Sequence, residues 1–263
     1  MTLELFGVGF APLSLEQAVE LCRARDPAAA FAYVVTPNTD HLARLRRDPP
    51  LRPAYAAAWL CLLDSEVIGV LLRRLGRQPV SVVTGADLTA QLLARLPRGS
   101  SVLLVGLSEA DAQALAVRFD HLVIEHYQPP MGLDTDSVAF ARVCAVVRAQ
   151  QAALVLLAVG SPRQERLAYA IAQAGDATGL GLCVGAAPLF AARRIRRAPA
   201  WIRALALEWA WRLALEPRRL ARRYVWDGPP VLVALALIAL KRRRTLVGGD
   251  DPRNKITHEN NHG

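Results

Sequence analysis

No C-x-x-C pair occurs in the chain: Cys22, Cys61, Cys144 and Cys183 are scattered through apolar runs. That spacing excludes a zinc ribbon or a redox dithiol and reads as buried, reduced thiols of a cytosolic protein. His41, His121 and His126 have no metal-ligand spacing with these cysteines, so no metal site is expected. Neither G-x-G-x-x-G nor G-x-x-x-x-G-K-[ST] is present, which removes the two commonest nucleotide fingerprints. The first residues lack the basic n-region of a secretory signal. The longest apolar run, 231–240, is shorter than the roughly 20 residues a spanning helix needs. Asp227, Gly228, Pro229 and Pro230 interrupt it upstream, leaving a re-entrant or interfacial lie open. There is no RNP, KH or zinc-finger pattern, so nucleic acid is not an expected partner.

What is present is a large apolar content and an uneven charge. The 263 residues are 53% hydrophobic and 21% charged, enough for one large core with an appendage. Residues 1–192 carry 16 basic and 17 acidic side chains, whereas 193–244 carry 14 basic and 3 acidic. The positive excess therefore belongs to one segment, which reads as a surface for phosphates, either of nucleic acid or of anionic lipid. Within it, Trp201, Leu205, Trp209, Leu213, Leu220 and Tyr224 fall near one face at helical spacing, broken by Pro217. Arg212, Arg219, Arg222 and Arg223 crowd that stripe. Two readings stand: a helical hairpin packed on the core with a solvated basic face, or an interfacial element.

Residues 1–192 alternate short apolar runs with amphipathic stretches. The runs at 31–35, 59–63, 80–83, 101–105, 121–124, 153–159 and 181–184 predict buried strands. Ser14 and Gln17 predict a capping box at the first helix. Continuous apolar strands alternating with helices predict a Rossmann-like α/β fold, a parallel sheet with helices on both faces. The expected division is a catalytic domain over 1–192, a basic amphipathic helical appendage over 193–245 and a disordered tail over 246–263.

Ligands of such sheets sit beyond the C-terminal strand ends. There the sequence places Thr36 and Asn38, then Asp64, then Thr84, Gly85 and Asp87, then Gly106, then Gly160, Pro162, Gln164 and Glu165. Asp64 directly follows a buried strand and can act as a general base or cap the following helix. Thr36 and Asn38 can likewise donate to a ligand or cap. Gly85 could cradle a phosphate at a helix start, but Asp87 repels phosphate and reads as a cap. Asp134 and Asp136 sit in a Gly/Pro-flanked loop and also read as helix capping.

The segment LALEWAWRLALEPRRLARRY (205–224), preceded by RRAP (196–199), closely resembles the C-terminal signature of the WecG/TagA/CpsF glycosyltransferases, glycosyltransferase family 26. The likeness continues through TPNTDHL (36–42), Asp64, TGADL (84–88), LLVG (103–106) and VGSPRQE (159–165). It implies inverting transfer of a sugar (N-acetylmannosamine, its uronic acid or a hexose) from a UDP-sugar to a polyprenyl-diphosphate-linked saccharide. The implied setting is envelope or exopolysaccharide assembly, peripheral on the cytoplasmic face of the cell membrane, without metal or other cofactor. A homo-oligomer is left open. By the resemblance Asp64 is the base, Thr36 and Asn38 are pocket residues, and Gln164 belongs to a G-x-P-x-Q-E motif. Thr84, Gly85, Asp87, Gly106, Gly160, Pro162 and Glu165 are expected to bind substrate. Arg212, Arg219 and Arg222 match appendage arginines, and Arg197 is grouped with them at the diphosphate. Two positions depart from the pattern: Ser65 stands where glycine is common, and Leu189 where an acidic residue is usual. They are expected to flank the sugar pocket, and they motivate a rival reading as a non-catalytic scaffold of a polysaccharide assembly complex; the basic segment motivates the other rival, a nucleic-acid-binding protein.

Overall fold

The computed structural model describes residues 3–74, 81–133, 135–199, 201–202, 205, 207–215, 217–218 and 228–247, with backbone alone at 212 and 238–247. The chain opens on an antiparallel hairpin, β1 (Leu3–Leu5) and β2 (Val8–Phe10). Phe6 and Gly7 join its strands with φ of 54° and 78°, both positive as a two-residue primed turn demands. Leu5, Val8 and Phe10 bury one face of it. Helix α1 (Leu15–Arg23) starts on the expected capping box of Ser14 and Gln17. Then follow β3 (Ala32–Val35), α2 (Thr39–Arg47), α3 (Arg52–Ala56), β4 (Leu60–Cys61), α4 (Glu66–Arg74) and α5 (Gly85–Arg95). The second half contributes β5 (Ser101–Val105), α6 (Glu109–Arg118), β6 (Val123–Tyr127), α7 (Ser137–Gln150) and β7 (Leu154–Leu157). After these come α8 (Arg163–Ala174), β8 (Leu180–Cys183), α9 (Ala187–Ala191), α10 (Glu208–Leu215) and α11 (Gly228–Val247).

Six strands form one parallel sheet in the order β4-β3-β8-β7-β5-β6. Both faces are covered, because alternate strand residues enter different cores. Tyr33, Val35, Val155 and Leu157 pack with α2, α4, α7 and α8. Val34, Leu154, Leu156 and Leu182 pack on the other side with α1, α5 and α6. Residues of period two, buried on both faces, produce the continuous apolar runs of the sequence.

Two expected strands need correction. Residues 81–83 form no strand; Val83 N–H donates to Leu63 O at 2.9 Å, two residues past the short edge strand β4. Val80 lies outside the described residues. The strand expected at 121–124 starts later, because Leu122 N–H is drawn into a turn on Phe119 O. It runs on through Glu125, His126 and Tyr127, polar residues that an edge strand tolerates. Asp136 caps α7 by accepting from Val138 and Ala139 N–H, while Asp134 lies outside the described residues.

Part of the basic segment packs on the sheet unit. Val231 and Leu235 of α11 are each 1% exposed and join the core beside α2, and Arg46 donates to Pro230 O at 3.0 Å. Among the described residues no helix is long and apolar enough to cross a membrane. Residues 248–263 lie outside the described residues, and Leu246 and Val247 end α11.

Candidate functional site

A cavity of about 630 Å³ opens beyond the C-terminal ends of β3, β4, β7 and β8. That size suits a small organic ligand. Thr36, Asn38, Asp64, Thr84, Gly85, Gly160, Gln164 and Arg197 all line it, from five separate stretches of sequence. Its upper rim comes from the C-terminal basic segment: Glu208 and Trp209 at the start of α10, and Gly228, Pro229 and Leu232 of α11.

Asp64 is held by a helix other than the one that follows it. Its Oδ2 accepts from Gly85 N–H at 3.1 Å, at the first residue of α5. Helix α4 is served instead by Ser65, whose Oγ accepts from Ile68 N–H at 3.4 Å and lies 3.1 Å from Thr39 Oγ1. The departure at position 65 thus supplies a local hydrogen-bonding hydroxyl on the cavity wall. Gly85 makes the close approach possible: a Cβ there would sit 2.8 Å from Thr36 Oγ1 and 3.7 Å from Asp64 Oδ2. Thr36 itself is buried. Asn38 caps α2 through Oδ1, which accepts from Asp40 and His41 N–H, leaving the Nδ2 amide for other contacts.

Asp87 lies just behind the cavity, and its carboxylate is neutralised. Arg197 grips it with both terminal nitrogens and also donates to Thr84 Oγ1 at 3.2 Å. Thr84 in turn caps α5 and donates to Asp87 Oδ2 at 2.7 Å. The reading of Asp87 as a cap is therefore replaced: the hydroxyl of Thr84 caps, and Asp87 anchors an arginine. Burial pulls the pKa of Arg197 down. The hydrogen bonds and charge of Asp87, with smaller contributions from Glu208 and Asp64, more than offset this and hold it above the usual value. Glu208 stands 3.9 Å from the guanidinium, so α10 is tied to the same cation.

The other expected residues divide. Gln164 is buried at the cavity wall, its Oε1 accepting from Gly185 N–H at 3.0 Å and its Nε2 donating to Glu165 at 2.8 Å. Glu165 is fully buried behind that wall, and Pro162 lies outside the lining, although its neighbour Ser161 is part of it. Gly106 does not reach the cavity either. It ends β5, which β7 separates from β8, and its carbonyl lies 3.0 Å from His126 Nε2. Leu189 is not in the lining, but Phe190, Ala186 and Ala187 are. Arg219 and Arg222 lie outside the described residues, and Arg212 is described for its backbone in α10 alone.

Sequence reasoning passed over Ser161, His41 and Trp209 as lining residues. Ser161 and His41 stand inside the quoted motifs, and Trp209 stands in the C-terminal signature, so the signal was there. Among the described residues, no group of three or more His, Cys, Asp or Glu gathers as a metal-ligand set. Burial raises the Cys22 thiol to about 12 and pushes Cys61, Cys144 and Cys183 up as well, which disfavours their thiolates.

A carboxylate seated at a helix start, an arginine locked beside it and a cleft at the strand ends together suit an enzyme of group transfer. The family model of the glycosyl transferase WecG/TagA/CpsF family matches residues 3–245. The chain belongs to that glycosyltransferase family, and its substrates are accordingly a sugar donor and an acceptor.

Proposed function

We propose that the chain transfers a sugar from a UDP-sugar to a polyprenyl-diphosphate-linked saccharide with inversion at the anomeric carbon. The observation that carries this is Asp64 in the cavity wall, oriented by Gly85 N–H and within the electrostatic reach of Arg197. Asp64 takes the proton of the acceptor hydroxyl as that oxygen bonds to the anomeric carbon. The bond from that carbon to the β-phosphate oxygen breaks on the opposite face, and UDP leaves with the electron pair. Arg197 stands ready to meet the charge that develops on the diphosphate. Arg212, Arg219 and Arg222 of the appendage are assigned the same task, on the family resemblance. The donor sugar is N-acetylmannosamine, its uronic acid or a hexose, and the pathway is envelope or exopolysaccharide assembly. A panel of UDP-sugars with a lipid-diphosphate-sugar acceptor tests the reading; no UDP release from any member would refute it.

The same reading places the enzyme on the inner leaflet. Trp201, Leu205, Leu215, Val233 and Leu237 are exposed apolar side chains in a segment of 14 basic and 3 acidic residues. Apolar anchors with surrounding cations suit an anionic interface. Val233→Glu with Leu237→Glu is expected to cut binding to anionic vesicles about tenfold or more while leaving the melting temperature near wild type. Leu235→Ala, two residues away but buried, is expected to cost about 2–4 kcal/mol of stability and leave vesicle binding of the folded protein intact. Vesicle co-sedimentation and thermal melting read the two effects separately. Unchanged co-sedimentation of the double variant would remove this face of α11 from the interface.

A further inference from the structure

Behind the wall of the cavity lies a polar group that the transfer reaction does not use. Glu165 is 0% exposed, and its Oε2 has no hydrogen-bond partner among the described residues. Its Oε1 accepts from Gln164 Nε2 at 2.8 Å. The other end of the same amide accepts from Gly185 N–H at 3.0 Å. Gly185, Ala186 and Ala187 follow β8 and form one side of the cavity. The Gln164 amide therefore bridges a buried carboxyl and a cavity wall, and its orientation matters at both ends. If it flipped, an N–H would face the Gly185 N–H, and an oxygen would face Glu165. Gly185 N–H can only donate, so it sets the amide orientation, and the accepting oxygen at position 165 satisfies the other end of the amide in that orientation.

We propose that Glu165 is a positioning residue for the donor site, fixing the Gln164 amide and through it the Gly185–Ala187 wall. This rests on the UDP-sugar reading above. Burial favours the neutral form of this carboxyl. Burial drives its proton affinity up from the usual 4.5, against weaker opposing contributions from Gln164, Ser161, its own backbone N–H and Arg44. Two basic side chains of α2 lie near it. From α2, His41 Nδ1 stands 3.9 Å from Oε1, and Arg44 spends its guanidinium on Ser161 at 2.7 Å and Asp40 at 3.0 Å. Tyr55 of α3, Tyr33 of β3 and Cys183 of β8 face it as well, and its charge would push each of their pKa values higher. In its neutral form the acid still keeps a carbonyl oxygen to accept from Gln164 Nε2.

The test compares Glu165→Gln, which keeps an acceptor oxygen and cannot ionise, with Glu165→Leu, which removes the acceptor. In the full chain, Glu165→Leu is expected to raise the donor KM roughly tenfold with little change in kcat, the loss of one buried hydrogen bond from a binding wall. Glu165→Gln is expected to restore the donor KM to within about twofold of wild type. A second readout needs no substrate. A carboxyl whose native pKa is raised holds its proton where the unfolded chain has released it, so wild type loses stability as pH climbs above 4.5. Wild type and Glu165→Gln should melt alike near pH 4.5, and the Gln variant should gain on wild type as pH rises. This comparison stands even if the Leu variant fails to fold. Equal losses in both variants, with Glu165→Gln melting lower than wild type at neutral pH, would show that an ionised carboxylate paired with His41 is required and would overturn the proposal. Absence of UDP-sugar turnover in wild type is a different failure, that of the donor reading itself.

Discussion

Asp64→Asn is expected to fold and to bind UDP like wild type while losing turnover by about 10²–10⁴-fold, the usual cost of one general base. Asparagine preserves the shape, and its Oδ1 can still accept from Gly85 N–H, so the start of α5 should stay in place. The proton acceptor alone is removed. Asp64→Ala is the less informative change, because it also strips the hydrogen bond from the first residue of α5 and mixes a capping loss of about 1 kcal/mol with the chemistry. Single-turnover rates on a water-soluble acceptor analogue, together with melting temperature and UDP affinity, separate these contributions. Turnover within about threefold of wild type would reduce Asp64 to a structural partner of α5.

The sequence made the centre of the sheet legible and its margins much less so. Strands β3, β5, β7 and β8 are buried on both faces, so each appears as an unbroken apolar run that nothing else at that length explains. The edges obey other rules. β6 carries Glu125 and His126 because one flank of it meets solvent, and β4 shrinks to Leu60 and Cys61, with residues 81–83 only brushing its end. The β1–β2 hairpin was missed because its three-residue strands turn on Phe6 and Gly7 rather than on an Asn-Gly pair.

The site was legible in its location and not in its wiring. Strand ends can be read from composition, and eight of the expected residues do meet at one cavity. Which side chain holds which is a long-range matter. Asp64 was weighed as a cap for the helix beside it in sequence, yet it bonds Gly85, 21 residues on. Asp87 looked hostile to phosphate because its partner Arg197 lies 110 residues away. Local spacing carries no information about such pairs. Gly106 lies outside the lining of this cavity for a related reason. It ends a strand as the others do, but strand order puts β5 beyond β7 from the cavity, and order is set by crossovers that periodicity cannot display.

Arg197→Ala is expected to lower turnover on a soluble acceptor analogue by about 10²–10³-fold, the scale seen when one preorganised charge-stabilising donor is removed from an active site. The guanidinium is held in place before substrate arrives: both its terminal nitrogens pair with the Asp87 carboxylate, and Thr84 Oγ1 accepts from it at 3.2 Å. It therefore has little reorganisation to make if, as proposed, charge develops on a leaving diphosphate. Its removal would also expose Asp87 to the cavity and leave Glu208, 3.9 Å away, without its neighbouring cation. Two carboxylates would then face an anionic donor, so the donor KM should rise together with the fall in kcat. Arg197→Lys should recover only part of the loss, because a single ammonium cannot reproduce the pairing of two nitrogens with Asp87. Vesicle binding should be nearly unchanged, since Arg197 is one of 14 basic residues in 193–244. That combination distinguishes a residue acting on the diphosphate from one acting on lipid. Turnover of Arg197→Ala within about threefold of wild type would assign Arg197 to holding α5 and α10 together and leave the departing charge to the appendage arginines.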